Sequence, residues 1–100
     1  MRDKLEILKE FSNPTIAQEN AKKYLGKDTK LYLSTRKDKK YMIQQPNGKF
    51  VHFGQMGYED YTKHQNDIRR NNYLLRAKNI KGKWKDDKYS PNNLSINILW

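Results

Sequence analysis

Residues 41–54 read YMIQQPNGKFVHFG, and their order sets the fold class. Two apolar runs, Tyr41-Met42-Ile43 and Phe50-Val51-His52-Phe53, flank Pro46-Asn47-Gly48. Aromatic and β-branched side chains on either side of turn formers predict a hairpin, because proline presets φ and glycine admits positive φ where the chain reverses. Upstream, Leu31-Tyr32-Leu33 is a third short apolar run, separated from the hairpin by the basic turn Arg36-Lys37-Asp38-Lys39-Lys40. The three runs predict a three-stranded antiparallel meander.

Helical signals lie on both sides of this sheet. Ile7, Leu8 and Phe11 fall at helical spacing, so residues 3–11 are expected to form a short amphipathic helix. Asn13-Pro14 is a cap followed by a first-turn proline, Gly26 is a stop, and Ala17, Ala21, Tyr24 and Leu25 form the stripe between them. A helical hairpin over 1–26 is the expectation. After the sheet, Gly54 and Gly57 mark a corner that needs positive φ or close backbone approach. Residues 60–79 are expected to form one helix, with Tyr61, His64, Ile68 and Leu75 inside a sector of roughly 60° as its buried face. Gly82 ends that region. Ser90-Pro91 repeats the cap-then-proline signal, and Leu94, Ile98, Leu99 and Trp100 predict an apolar terminal helix that docks.

The expected fold is therefore α+β: an N-terminal helical hairpin over residues 1–29, then a basic unit over 30–100. That unit holds a short three-stranded sheet, one long basic helix and a C-terminal helix. One hundred residues leave no room for a further catalytic domain. Leu, Ile, Val and Phe together make up only 20 residues, a thin core for a highly charged chain. Twelve aromatics offset this, and the rings of Tyr41, Phe53, Tyr61 and Trp100 are expected to close the core. Without cysteine, disulfides, thiol chemistry and Cys-liganded metals are excluded. No apolar run approaches a membrane span and the first ten residues are charged, so a soluble, unsecreted protein is expected.

The formal net charge is +10. Residues 1–29 carry six basic and five acidic side chains, whereas 30–100 carry 15 and six, so the first segment looks like a neutral appendage and the rest a polyanion-facing body. On the wheel for 60–79, Arg69, Tyr73 and Arg76 share one sector away from the apolar face, flanked by Asn66 and Arg70. Guanidinium forks suit phosphate oxygens and an exposed tyrosine can stack on a base. The bland alternative is a solvated helix face. The 36–40 turn and the series Lys78, Lys81, Lys83, Lys85, Lys88 add to the cationic surface. The expectation is a non-enzymatic nucleic-acid-binding protein without strong sequence preference, DNA more than RNA. Lys39, Lys40, Lys63, Arg69, Arg70 and Arg76 would contact phosphate and Tyr73 would stack. No helix-turn-helix, zinc finger or RNP motif points to base reading.

The alternatives are weaker. A scaffold role would use the N-terminal hairpin and the tryptophans, Trp84 and Trp100, to recruit an acidic protein. His52 and His64, with Asp60 or Asp67, faintly suggest a ββα-type metal nuclease, but the spacing is wrong, and no metal or cofactor is expected. Asp86-Asp87 fits local charge balance better than a catalytic pair. No phosphate loop or nucleophile elbow is present.

Several segments together carry a resemblance: Lys39-Lys40-Tyr41-Met42, Pro46-Asn47-Gly48-Lys49, the HFGxxGYxDYTxH run of His52–His64, Arg69-Arg70, and Tyr89-Ser90-Pro91-Asn92-Asn93-Leu94-Ser95 through Leu99-Trp100. They resemble a family of small basic proteins of unknown function encoded by giant nucleocytoplasmic DNA viruses of protists and algae. The resemblance covers residues 34–100. It implies a viral source and a place in the virion or the viral factory of the host cytoplasm, where a genome must be condensed or organised.

Overall fold

In the computed structural model, which describes residues 2–100, the three expected strands form an antiparallel sheet in the order β1 (Tyr32–Leu33), β2 (Lys39–Gln44), β3 (Phe50–Gln55). The β2–β3 turn closes where Pro46-Asn47-Gly48 predicts. Gln45 N–H donates to Lys49 O at 2.8 Å, Gly48 N–H to Gln45 O at 2.9 Å, and Gly48 sits at φ +90°. The register sets Tyr41 opposite Phe53 and Ile43 opposite Val51. Because side chains alternate across a strand, this places Tyr41, Ile43 and Phe53 together on the core side, all buried.

Helices cover that core. α1 (Lys4–Leu8) is shorter than the expected 3–11; Asp3 caps it through Glu6 N–H, and Leu8 is its buried residue. Lys4 ties it to the β1–β2 connection by donating to Ser34 O at 2.5 Å and Arg36 O at 2.7 Å. α2 (Pro14–Leu25) begins and ends where its cap and stop predict. Asn13 accepts from Thr15 and Ile16 N–H, and Gly26 is the C-cap. Its small residues Ala17 and Ala21 let it approach the C-terminal segment, where Asn20 Nδ2 donates to Ile98 O at 2.8 Å. Leu8, Ala17 and Ala21 belong to one buried cluster with Tyr41, Ile43, Phe53, Leu94, Ile98 and Leu99. The first 29 residues are therefore part of the core and not an appendage to it; Met1 lies outside the described residues.

The helix expected over 60–79 is two helices. α3 (Tyr61–His64) ends at Gln65, which adopts the left-handed conformation at φ 54°. α4 (Asp67–Lys78) then starts afresh with Asn66 as cap, its Oδ1 accepting from Arg69 N–H at 3.0 Å. Asparagine competes for backbone donors and favours a cap over a helix interior, which is why the chain breaks here. The break resets the helical phase, so the predicted buried face does not form. Ile68 and Leu75 are 73% and 66% exposed, and the buried residue of α4 is Ala77.

The terminal segment docks as expected. Ser90 caps α5 (Pro91–Leu94), which continues as a π-helical turn over Ser95–Leu99, burying Leu94, Ile98 and Leu99. Leu99 presses on Gly54: a Cβ there would lie 2.9 Å from Leu99 Cδ1 and 3.2 Å from Lys40 Cβ, and Gly54 has φ +81°. The predicted corner thus meets both glycine requirements. Of the four rings expected to close the core, Tyr41 and Phe53 are buried and Trp100 packs against it partly buried. Tyr61 does not join them; its hydroxyl donates to Asp67 Oδ1 at 2.7 Å and its ring lies under the Arg70 guanidinium.

Candidate nucleic-acid interface

Arg69, Asn72, Tyr73 and Arg76 follow one another at i, i+3, i+4 and i+7, so α4 carries them on one face. The sequence groups Arg69, Tyr73 and Arg76 correctly but turns them toward open solvent. In the fold this face looks back across a cleft of about 690 Å³, whose opposite side comes from the ends of β2 and β3 and the π turn. Lys39, Gln55 and Tyr58 line the sheet side, and Trp100 forms part of the wall beside α4.

Three of the expected contact residues meet here as accessible cations. Lys39 opens β2 half-buried, Arg76 is exposed, and neither has an ion-pair partner among the described residues. Arg69 Nη1 lies 2.9 Å from Glu59 Oε1, with both side chains well exposed. An exposed pair of this kind is worth about 0–1 kcal/mol, so a phosphate oxygen can compete for the guanidinium. Among the described lining residues, Glu59 alone has a carboxylate side chain. The exposed lysines at 78, 81, 83, 85 and 88 are likewise without ion-pair partners among the described residues.

The other four expected contacts do different work. Tyr73 is not a free stacking platform: its ring already stacks on Trp100, with centroids 4.1 Å apart and planes within 10°, and burial pushes its phenol up. Arg70 is half-buried, donates from Nε to the Trp100 main-chain oxygen at 2.6 Å, and lies 5.3 Å over the Tyr61 ring. It fastens α4 to the C-terminal segment. Lys63 sits apart, in a smaller hollow of about 340 Å³ shared with Lys9 and the start of α2.

Lys40 is the clearest correction. It is 2% exposed, and its Nζ donates to Asp60 Oδ2 at 3.0 Å, Tyr58 O at 2.5 Å and Phe11 O at 3.3 Å, using all three ammonium donors. Beyond Asp60 the network runs through buried hydroxyls. Thr62 Oγ1 bonds Asp60 Oδ1, Ser12 Oγ lies 3.1 Å from Thr62 Oγ1, and Tyr41 Oη lies 2.7 Å from Ser12 Oγ. An ionised carboxylate only accepts, so the protons point one way: Tyr41 to Ser12, Ser12 to Thr62, Thr62 to Asp60. Burial pushes the Lys40 ammonium down while Asp60 pulls it back up, and burial pushes the Tyr41 phenol well above its usual range. With its ammonium buried and fully bonded, Lys40 joins β2 to the Tyr58–Asp60 stretch before α3 and to the turn after α1; it is not presented to a phosphate.

The histidines are engaged separately. His52 Nδ1 lies 2.6 Å from Ser34 Oγ, and His64 Nδ1 accepts from Asn66 N–H at 2.9 Å. Among the described residues, no three His, Cys, Asp or Glu side chains gather as a metal site. Asp87 accepts from Tyr89 N–H in its own turn, and Trp84 Nε1 donates to Ile80 O at 2.7 Å. Sequence reasoning missed Gln55, Tyr58 and Asn72 as cleft residues. Asn72 was visible three positions after Arg69, whereas Gln55 and Tyr58 depend on where the Gly54 corner sends the chain. Residues 29–77, just under half of the chain, match a family described as a family of unknown function (DUF5754), a span that runs from before β1 to the last turn of α4. Searches of curated proteins and of solved structures find no match.

Proposed function

We propose that the chain is a non-enzymatic nucleic-acid-binding protein that engages phosphates through its cationic surface and reads no base edges. The observation that carries this is the cleft rim: Lys39, Arg69 and Arg76 converge on one groove with a single carboxylate side chain among its described lining residues. Around it, only four of the chain's 21 Lys and Arg side chains are ion-paired among the described residues. The phosphate contacts are then Lys39, Arg69 and Arg76, with Lys63 and the 78–88 lysines as a wider field. Arg70 and Tyr73 hold α4 in place, and Lys40 holds the core. The resemblance to small basic proteins of giant DNA viruses supports viral DNA as the polyanion, in the virion or the viral factory.

Binding of labelled duplex DNA, single strands and RNA across a salt series, with and without Mg²⁺, tests the reading. Affinity is expected to fall linearly on a log–log plot, with a slope near −0.9 per phosphate neutralised on duplex DNA. Arg76→Ala and Lys39→Ala should each flatten that slope by about one. A salt-independent affinity removes the reading, and Mg²⁺-dependent cleavage removes the non-enzymatic part of it. A second reading, docking of an acidic protein, is favoured by the exposed Ile68 and Leu75 on α4. Recovery of one acidic protein after nuclease treatment, lost in Ile68→Gln/Leu75→Gln, would favour it.

A further inference from the structure

Beyond its Lys40–Gly54 end, on which Leu99 packs, the sheet face opposite Tyr41, Ile43 and Phe53 is a second feature that the phosphate reading leaves unused. Met42 is in register with Tyr32 on one side and His52 on the other, and Gln44 with Phe50, so these side chains share that face. The Tyr32 and Phe50 rings reach toward each other over β2 and meet edge to face, with centroids 6.0 Å apart and planes at 77°. They remain 42% and 43% exposed. An edge-to-face contact occupies the edge of one ring and one face of the other, so with both rings about two-fifths exposed, further ring face is left on a strand scaffold. His52 is held there by Ser34.

The segment that carries most of this face is cationic. Residues 29–50 carry six basic side chains against one acidic, Asp38. Lys40 is consumed by Asp60, but Lys30, Lys37 and Lys49 are exposed and have no ion-pair partner among the described residues. Positive charge around an apolar centre opposes a second copy of the same +10 chain and suits a polyanion that also carries flat apolar groups. Nucleic acid has both, but in a duplex the base faces are already stacked on one another. Only a strand with unstacked bases can use the rings.

We propose that Tyr32 and Phe50 form a base-stacking platform for single-stranded nucleic acid on the outer face of the sheet. This rests on the nucleic-acid reading above and adds to it which form of nucleic acid the protein prefers. The full-length protein is titrated with a labelled oligothymidylate and with a duplex of equal length, as wild type and as Tyr32→Leu/Phe50→Leu. Leucine keeps apolar bulk but removes the ring, and circular dichroism checks that the sheet is retained. The expected result is a loss of about tenfold or more in oligothymidylate affinity, with duplex affinity and salt slope unchanged, since stacking releases no counterions. Wild-type binding with no loss in the variant, or an equal loss for duplex and single strand, overturns the platform and leaves the phosphate reading standing. A dimeric wild type that becomes monomeric in the variant with oligonucleotide affinity intact makes the face a self-association surface and also overturns it. A wild type that binds neither nucleic acid overturns both.

Discussion

Burying the Lys40 ammonium removes water that Asp60 and two main-chain oxygens have to replace. Taking away one partner leaves an uncompensated buried charge, whereas replacing both by apolar groups of similar size is often close to neutral. Asp60→Ala should therefore cost about 3–5 kcal/mol in urea denaturation, and Lys40→Met/Asp60→Leu should cost less than that single change. If the double variant is the less stable, the pair is contributing net stability. His64 makes a different residue-scale prediction. Its Nδ1 accepts from Asn66 N–H, so the proton of the neutral ring is on Nε2, which is buried without a hydrogen-bond partner among the described residues, near the Trp100 ring. Burial, and then Arg69, push its pKa below the ordinary value near 6.5. The unfolded chain consequently binds the proton first as pH falls, so stability held above about pH 6.5 is lost below it. Thermal midpoints at pH 7 and pH 5 should differ more for wild type than for His64→Asn, which keeps an acceptor near Nδ1 but does not titrate in this range. Equal differences would mean that His64 does not sense pH.

Among the elements, α4 separates what periodicity can and cannot reveal. Angular grouping is intrinsic to a helix, so Arg69, Tyr73 and Arg76 were legible as one cluster from spacing alone. Which side of the helix meets the protein is not intrinsic; it depends on where the preceding chain aims the first turn. The left-handed Gln65 and the Asn66 cap re-aim it, and a wheel drawn through both residues carries the phase of α3 into α4, where it no longer applies. The two orientations predict opposite mutational patterns. With Ile68 and Leu75 exposed, Ile68→Gln and Leu75→Gln should each stay within about 0.5 kcal/mol of wild type, while Ala77→Gln, at a buried site, should destabilise by more than about 1 kcal/mol. Chemical denaturation of the three variants decides between them, and a severe loss at Ile68 would restore the unbroken helix.

For the whole molecule, the uneven charge suggested two units where burial gives one. Net charge is read directly from residue types, but a shared core depends on small residues such as Ala17 and Ala21, which carry little hydrophobic signal and matter because they let α2 come close. The sheet and caps, by contrast, were legible because turn and capping chemistry is local. Residues 30–100 expressed alone should therefore show no cooperative urea transition, since the cut removes Leu8, Ala17 and Ala21 from the buried cluster that holds the sheet. A full-length-like transition from that fragment would restore the two-unit organisation.

The attachment of α4 has a further consequence. Of its 12 residues only Ala77 is buried, and the helix is held by the Tyr73–Trp100 stack, the Arg70 bond to Trp100 and the Asn92 Nδ2 bond to Ala77 O. A helix with so little buried surface is expected to lift away while β2 and β3 stay paired, as a sub-global opening unit of its own. Its amides should exchange with deuterium well before those of Tyr41 and Phe53, and binding of nucleic acid in the cleft should slow them selectively.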